Sequence, residues 1–124
     1  MVRIVSTLLL LLVLLGPQQR SIDEEFLNAV EKKDVPKINA LLKQGTNINA
    51  REHINGHFAL QYAINWPDVA LVKLLLDKGA DVNLTDTGGT TALIDSTRDG
   101  GPEYTAIAKL LIEPGGDVHA DNEA

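Results

Sequence analysis

Cysteine is absent from this chain of 124 residues, and aromatic residues make up only 4% of it. Without cysteine the protein has no disulfide bonds, no thiolate catalysis and no cysteine-based zinc site. The low aromatic content argues against a β-sandwich with an aromatic-rich core. The 44% of hydrophobic residues is ordinary for a globular protein and comes mostly from Leu, Ile, Val and Ala. That composition suits one domain of helices packed through aliphatic side chains.

Positive charge is also scarce. The chain has 11 Lys and Arg against 17 Asp and Glu, a formal net charge of −6. Every acidic residue follows Arg20, so the part from Ser21 onward has nine bases and seventeen acids, a net charge of 9 − 17 = −8. Charge of this sign repels phosphate backbones. We therefore expect no nucleic-acid partner.

The first twenty residues differ in composition from the rest. One basic residue, Arg3, precedes an apolar run from Ile4 to Leu15 that is interrupted only by Ser6 and Thr7 and ends at Gly16 and Pro17. This layout predicts a signal peptide over residues 1–20. The run is shorter than the roughly twenty apolar residues of a spanning helix. No small-x-small cleavage site stands at the expected place, so an uncleaved anchor and a buried N-terminal helix stay open as alternatives.

Three segments of the remaining chain can be superimposed. Residues 41–49 read LLKQGTNIN, residues 75–83 read LLDKGADVN, and residues 111–119 read LIEPGGDVH. Their shared glycines are Gly45, Gly79 and Gly115, separated by 79 − 45 = 34 and 115 − 79 = 36 positions. Self-similarity at this period predicts a solenoid of stacked supersecondary units.

Each unit is expected to contain two short helices. The apolar stretch over residues 69–76 predicts a largely buried helix, which Gly79 ends by adopting a left-handed conformation. A preceding helix is predicted by apolar residues at i, i+3 and i+4, namely Leu60, Ala63 and Ile64. Between the two helices, Pro67 stops the first and Asp68 can cap the second.

At this level of detail the chain resembles the ankyrin-repeat family, whose consensus runs D-x-x-G-x-T-P-L-H-x-A-A-x-x-G-x-x-x-x-V-K-L-L-L-x-x-G-A-D-V-N. Residues 56–83 follow this pattern without a gap, residues 86–93 match its opening, and the first unit is similar to an N-terminal capping repeat. The resemblance implies an all-α solenoid of about three helix–turn–helix repeats with finger-like connecting loops. The domain is expected over residues 21–121, with repeats at about 21–52, 53–85 and 86–121 and a tail at 122–124.

Several residues depart from the consensus. Gln61 and Ile94 replace its histidine, so we expect the starts of these helices to be less firmly tied by hydrogen bonds. About two extra residues near 98–103 should lengthen the turn inside the third repeat. The last helix, over residues 104–112, is a candidate exposed contact surface. Four acids are expected on solvated helix faces: Asp77, Asp95, Glu103 and Glu113.

The resemblance implies that a protein partner contacts the concave face. The predicted binding residues are His53, Ile54, Asn55 and His57 on the first finger, Asn65 and Trp66 at the end of a helix, Thr87 and Thr90 on the second finger, and Arg98 and Asp99 in the third repeat. Trp66, the sole tryptophan, is either a binding anchor or packs over the neighbouring repeat. We expect a non-catalytic interaction module, secreted or periplasmic. The alternative is a membrane-tethered accessory or protective subunit of a membrane or envelope complex.

Other chemistry fits the sequence poorly. His53 and His57 have metal-ligand spacing on a helix, but Asn55 and Gly56 predict a turn between them, so we expect no metal. The stretch over residues 81–86 resembles a calcium loop only at its start, since Asp86 stands at the glycine position. Residues 88–91 lack the lysine of a phosphate-binding loop, and we expect no cofactor. With no nucleophile–histidine–acid set, the chain is not expected to be an enzyme.

Two short motifs become relevant if the protein is exported. Asn83-Leu84-Thr85 is an N-glycosylation sequon, in a turn where we expect the asparagine to bond to backbone. Residues 98–100 read Arg-Asp-Gly, which has the residues of the integrin-binding tripeptide Arg-Gly-Asp in another order, a short pattern that also recurs by chance. Both are secondary to the predicted binding of a partner on the concave face.

Overall fold

A computed structural model describes residues 22–113 of the protein. The predicted signal peptide, the end of the third repeat and the tail lie outside these residues. Within these residues six helices follow one another: α1 over residues 22–31, α2 Val35–Lys43, α3 Ala59–Asn65, α4 Val69–Asp77, α5 Ala92–Ser96 and α6 Pro102–Ile112. Extended pairing within residues 22–113 is limited to two isolated bridges, Arg51 with Phe58 and Thr85 with Thr91. The predicted all-α solenoid is confirmed.

The helices form antiparallel pairs that stack side by side. Helix α3 packs against its partner α4 and against α5 of the next pair, and α4 and α5 both pack against α6. These contacts place α3 and α5 in the inner layer and α4 and α6 in the outer layer, and by the sequence repeat α1 and α2 are the inner and outer helices of the first unit. One continuous apolar core joins the layers, with Phe26, Ile38, Leu60 and Val72 at most 1% exposed.

Equivalent positions of the sequence repeat are buried in the same core. Leu41, Leu75 and Leu111 begin the three superimposable segments, and each is at most 4% exposed. Gly45 and Gly79 follow the second helix of their units with φ of 93° and 96°, a region that favours glycine. The predicted role of Gly79 in ending a helix is thus confirmed.

Side-chain caps fix where the helices begin. The carboxylate of Asp68 accepts the backbone N–H of Leu71 at 3.0 Å, so its predicted role as the cap of α4 is confirmed. Asp34 caps α2 in the same way, and the Thr91 hydroxyl caps α5 by accepting the N–H of Ile94 at 3.2 Å. Each cap satisfies a backbone donor that the first turn of a helix leaves free.

Hydrogen bonds between loops hold successive repeats in register. Asp23 on α1 accepts the hydroxyl of Thr46 at 2.8 Å and the backbone N–H of Asn47 at 3.1 Å. One repeat further along, the side-chain oxygen of Asn49 accepts the backbone N–H of Asp81 at 2.8 Å. The connecting loops are therefore joined to each other as well as to their own helices.

The third repeat is stretched where its sequence predicted. The turn between α5 and α6 spans residues 97–101, whereas the turn between α3 and α4 spans residues 66–68. Helix α6 begins at Pro102, slightly before the predicted start at residue 104. Its Ile107 and Leu111 are buried, while Ile112 is 62% exposed, so the helix is only partly the exposed surface we expected. Within residues 22–113 no helix is long and apolar enough to span a membrane.

Candidate functional site

The first finger, residues 48–57, is organised around one carboxylate. Glu52 accepts the backbone N–H groups of Ile54 at 3.0 Å, of Asn55, and of His57 at 3.4 Å. These hydrogen bonds, chiefly the one from Ile54, hold the pKa of the Glu52 carboxyl below its ordinary value. The backbone N–H of Glu52 also donates to the carbonyl of His57 at 2.9 Å. Glu52 thus fixes the shape of this finger and the position of its tip.

The second finger, residues 82–90, uses Asp86 in the same way. Oδ1 of Asp86 accepts the backbone N–H groups of Gly88 at 2.9 Å and Thr90 at 3.0 Å. The fingers are joined where Thr87 donates both its N–H and its hydroxyl to the carbonyl of Asn55, each at 2.9 Å. The predicted binding residues Asn55 and Thr87 therefore also hold the two fingers together, while Thr90 helps to fix the shape of the second finger.

A buried glutamine connects the second finger to two inner helices. Nε2 of Gln61 donates to Oδ2 of Asp86 at 3.0 Å and to Oδ2 of Asp95 at 2.9 Å, and its Oε1 accepts the N–H of Phe58 at 3.4 Å. Two hydrogen bonds hold the pKa of the Asp86 carboxyl below its ordinary value: the one from Gln61 has the larger effect, and the one from the N–H of Thr90 has the next largest. Gln61 is 7% exposed. The expectation of a loosely tied helix start is wrong for Gln61, because the amide replaces the missing histidine.

The predicted solvated position of Asp95 is also corrected. Its side chain is only 17% exposed, and its Oδ1 accepts Nη2 of Arg98 at 2.8 Å. Arg98, Asp95, Gln61 and Asp86 thus form one connected chain of polar side chains. His57 extends it, with Nε2 at 3.8 Å from Oδ2 of Asp86. This polar network lies between the second and third repeats.

An open groove of about 240 Å³ lies over this network. The predicted binding residues His57, Asn65, Arg98 and Asp99 line it, as does Tyr62. The rings of His57 and Tyr62 meet edge to face, with centroids 6.1 Å apart and planes at 89°. The structure therefore brings together four of the predicted residues in one hollow of the concave face.

The other predicted residues lie outside this groove. Ile54 at the tip of the first finger is 81% exposed, and Trp66 at the end of α3 is 68% exposed. His53 is exposed, with Nε2 at 3.6 Å from a carboxylate oxygen of Glu24. Asn83 of the sequon is exposed as well. Among residues 22–113 no group of three or more His, Asp or Glu side chains is arranged to hold a metal ion.

The repeat register identifies further concave positions that sequence reasoning missed. Tyr62 and Asn65 of α3 and Trp66, which directly follows α3, occupy the consensus positions that follow the family histidine on the exposed side of the inner helix. The corresponding residues are Asn28, Glu31 and Lys32 in the first repeat and Asp95, Arg98 and Asp99 in the third. Aligning Phe26 with Leu60, two buried core positions, would have added Glu31 and Tyr62 to the predicted set.

Charge is distributed unevenly between the two faces. The inner helices α1, α3 and α5 have five acids and no base, 0 − 5 = −5, namely Asp23, Glu24, Glu25, Glu31 and Asp95. The fingers add one base and two acids, 1 − 2 = −1, and the turns after the inner helices, residues 32–34, 66–68 and 97–101, add three bases and three acids, 3 − 3 = 0. The outer helices have four lysines and two acids, 4 − 2 = +2. The concave face therefore has a negative potential that the convex face does not share.

Comparison with known proteins matches residues 26–122 to the family described as Ankyrin repeats (3 copies). The human protein phosphatase 1 regulatory subunit 27 is 32% identical over 101 residues, which cover 82% of this chain and 64% of that protein. A putative ankyrin repeat protein of Acanthamoeba polyphaga mimivirus is 43% identical over 58 residues, 47% of this chain and 8% of that protein. The chicken nuclear factor NF-kappa-B p105 subunit is 36% identical over 83 residues, 66% of this chain and 8% of that protein. The chain thus spans less than two thirds of the length of each of these relatives.

Proposed function

The chain belongs to the ankyrin-repeat family, and from this we propose that it is a non-catalytic module that binds a protein partner on its concave face. Ankyrin repeats in general are protein–protein interaction modules. The observation that carries the proposal is the exposure of Trp66, of which 68% is accessible at the end of an inner helix. The human relative is named a regulatory subunit of protein phosphatase 1, which supports an accessory role for this chain.

Exposure of Trp66 to water is unfavourable unless a partner covers it. Burying most of a tryptophan side chain on binding contributes about 2–4 kcal/mol, and tryptophan is enriched among residues that dominate binding energy. The backbone around Trp66 is well held, since α3 ends at Asn65 and α4 begins at the Asp68 cap. The side chain is therefore presented by a fixed scaffold, which reduces the entropy lost on binding.

The polar groups of the groove support binding better than catalysis. Asp86 accepts three hydrogen bonds, from the N–H groups of Gly88 and Thr90 and from Nε2 of Gln61, and Nε2 of His57 lies 3.8 Å from its carboxylate. Asp95 is engaged by Gln61 and Arg98. Carboxylates held this way are supports for the fingers and helices, and the depressed pKa of Asp86 does not suit a general acid or base at neutral pH.

We further propose that the protein is exported, with residues 1–20 acting as its signal peptide. The support is the basic start, the apolar run and the polar break of that segment. The competing proposal is a membrane-tethered accessory subunit that keeps this segment. The intact mass of the full-length protein purified from its own cells separates the two: a mature N-terminus near Ser21 supports export, whereas an intact Met1 contradicts it.

Site-directed photo-crosslinking tests where the partner binds. A photoreactive residue is placed at Asn65 on the concave face or at Lys73, an exposed position on the outer helix α4. In cells that express the full chain, we expect one partner to be cross-linked from Asn65 and not from Lys73. Cross-linking of the same partner from Lys73 alone would contradict binding on the concave face.

A further inference from the structure

Aromatic side chains form a strip across the concave face of the middle repeat. His57, Tyr62 and Trp66, which we call the aromatic strip, lie at the base of the first finger, on α3 and at the end of α3. Tyr62 is half-buried with its ring braced edge-on by His57, and Trp66 is exposed. Aromatic faces bind the side chains of Arg and Lys, both through cation–π attraction and through contact with their aliphatic stems.

Carboxylates surround this strip. Burial, and then the charges of Glu52 and Glu31, raise the pKa of the Tyr62 hydroxyl. Tyr62 therefore lies in the negative potential of one carboxylate on the first finger and another on α1. On the other side of the groove stands Asp99, at the position in the third repeat that corresponds to Trp66 in the second.

Two basic residues of the concave side are engaged, and a third, Lys32 at the first-repeat position that corresponds to Trp66, is exposed beside Glu31. Arg98 is paired with Asp95 at 2.8 Å, and Nε of Arg51 donates to the carbonyl of Thr85 at 3.0 Å. Glu31 and Asp99, by contrast, are exposed and form no hydrogen bond or ion pair within residues 22–113. Two exposed carboxylates therefore lie on either side of the aromatic strip, and only Glu31 has an exposed base, Lys32, next to it in sequence. The remaining excess of negative charge is the arrangement that a cationic partner would complete.

The spacing of the repeats limits the form of such a partner. Packed helices lie about 8–10 Å apart, so the inner helices present equivalent positions at that interval. Three residues of extended chain span about 10 Å. A peptide that crosses the repeats with a basic residue at every third position would bring successive cations to Glu31, which lies one position before the first-repeat counterpart of Trp66, to the aromatic strip and to Asp99.

We infer that the concave face recognises an extended, positively charged segment of its protein partner, with Arg or Lys at about every third position. This inference rests on the proposed function, because it names the chemistry of the segment bound there. The negative face disfavours acidic segments for the same reason that it disfavours phosphate backbones.

Synthetic peptides test the inference on the full chain. The probes are an extended peptide with Arg at every third position among Ser and Ala, a peptide of the same composition with its Arg residues adjacent, and a peptide with Glu replacing each Arg. Binding is followed by calorimetry and by the fluorescence of Trp66, the only tryptophan in the chain. We expect the spaced Arg peptide to bind most tightly, more weakly as ionic strength rises, and the Glu peptide not to bind.

Matched variants locate the interaction. Glu31→Gln and Asp99→Asn are each expected to weaken binding of the spaced Arg peptide about two- to fivefold, the usual effect of one exposed charge. Glu103→Gln and Asp77→Asn remove the same charges from the outer helices α6 and α4 and should leave the affinity unchanged. Circular dichroism of each variant verifies that the fold is retained.

Opposite results overturn the inference. It fails if the Glu peptide binds as well as the spaced Arg peptide, if no peptide binds, or if the outer-helix variants weaken binding as much as Glu31→Gln. Photo-crosslinking from Asn65 separates this failure from failure of the proposed function. A partner that is cross-linked there through a segment without basic residues leaves the proposed function standing and refutes the inference, whereas no cross-linked partner refutes both.

Discussion

Replacing Gln61 with leucine removes a side-chain amide that joins the second and third repeats. Leucine is similar in size to glutamine, so the change deletes the polar group with little loss of packing. Nε2 of Gln61 lies 3.0 Å from Asp86 and 2.9 Å from Asp95, so both carboxylates lose a donor at once. With that donor gone, two negative charges face each other across the groove without the group that separates them.

The magnitude follows from the burial of Gln61 and the number of bonds it makes. A hydrogen bond to a charged group contributes about 1.5–3 kcal/mol to stability. The lower value applies to each of the two bonds, because Asp86 and Asp95 retain other donors and some contact with water. We therefore expect Gln61→Leu to lower the free energy of unfolding by about 3 kcal/mol, or the melting temperature by roughly 10–20 °C.

Urea unfolding followed by circular dichroism measures this change. Gln44→Leu is the matched control, since Gln44 is exposed after α2 and its substitution should change stability by no more than about 0.5 kcal/mol. Gln61→Glu preserves the shape but places a third carboxylate in the network, so it should destabilise the protein more at neutral than at acidic pH. Equal stabilities of Gln61→Leu and Gln44→Leu would refute the role assigned to this amide.

Three further predictions concern stability. Asp68→Ala removes the cap of α4 and should lower the free energy of unfolding by about 1 kcal/mol in urea titrations, whereas Asp77→Ala at the end of the same helix should not. Oδ1 of Asn39 is buried with no hydrogen-bond partner among residues 22–113. Asn39→Leu should therefore raise the free energy of unfolding by about 1 kcal/mol and raise the melting temperature with it. A lower melting temperature would contradict this prediction. The carboxyl groups of Glu52 and Asp86 have pKa values below their ordinary values of 4.5 and 3.8. Their ionised forms therefore stabilise the fold at pH above these ordinary values, and this stabilisation is lost as pH falls through the lower folded pKa values. The urea concentration at the midpoint of unfolding should therefore fall as the pH is lowered below about 4.5. A midpoint that stays constant in that range would contradict the assigned roles of these carboxylates.

Much of the fold could be predicted because its determinants are local. The start of α4 depends on Asp68 and its end on Gly79, both of which lie next to the helix they define. The lengthened turn of the third repeat was predictable because Gly100 and Gly101 lie beside extra residues between two apolar segments. Periodic apolar residues then required the helices to pack in pairs.

The polar network of the groove could not be predicted from the same patterns. Gln61 contacts Asp95 across 34 positions of sequence, and only the stacking of two repeats brings them within hydrogen-bond distance. In the sequence, Asp95 looks like an ordinary acid on the solvated face of a short helix. The exposure of Trp66, in contrast, was predictable from its place at a helix end beside Pro67.

The central claim is that Trp66 anchors a protein partner on the concave face. The most direct test is the affinity of the partner cross-linked from Asn65 for Trp66→Ala, compared with Ile112→Ala, which truncates another exposed apolar side chain at the end of α6. We expect Trp66→Ala to weaken binding at least about 30-fold, the equivalent of about 2 kcal/mol, and Ile112→Ala to leave it unchanged. Unchanged affinity of Trp66→Ala, or an equal loss in both variants, would contradict the claim.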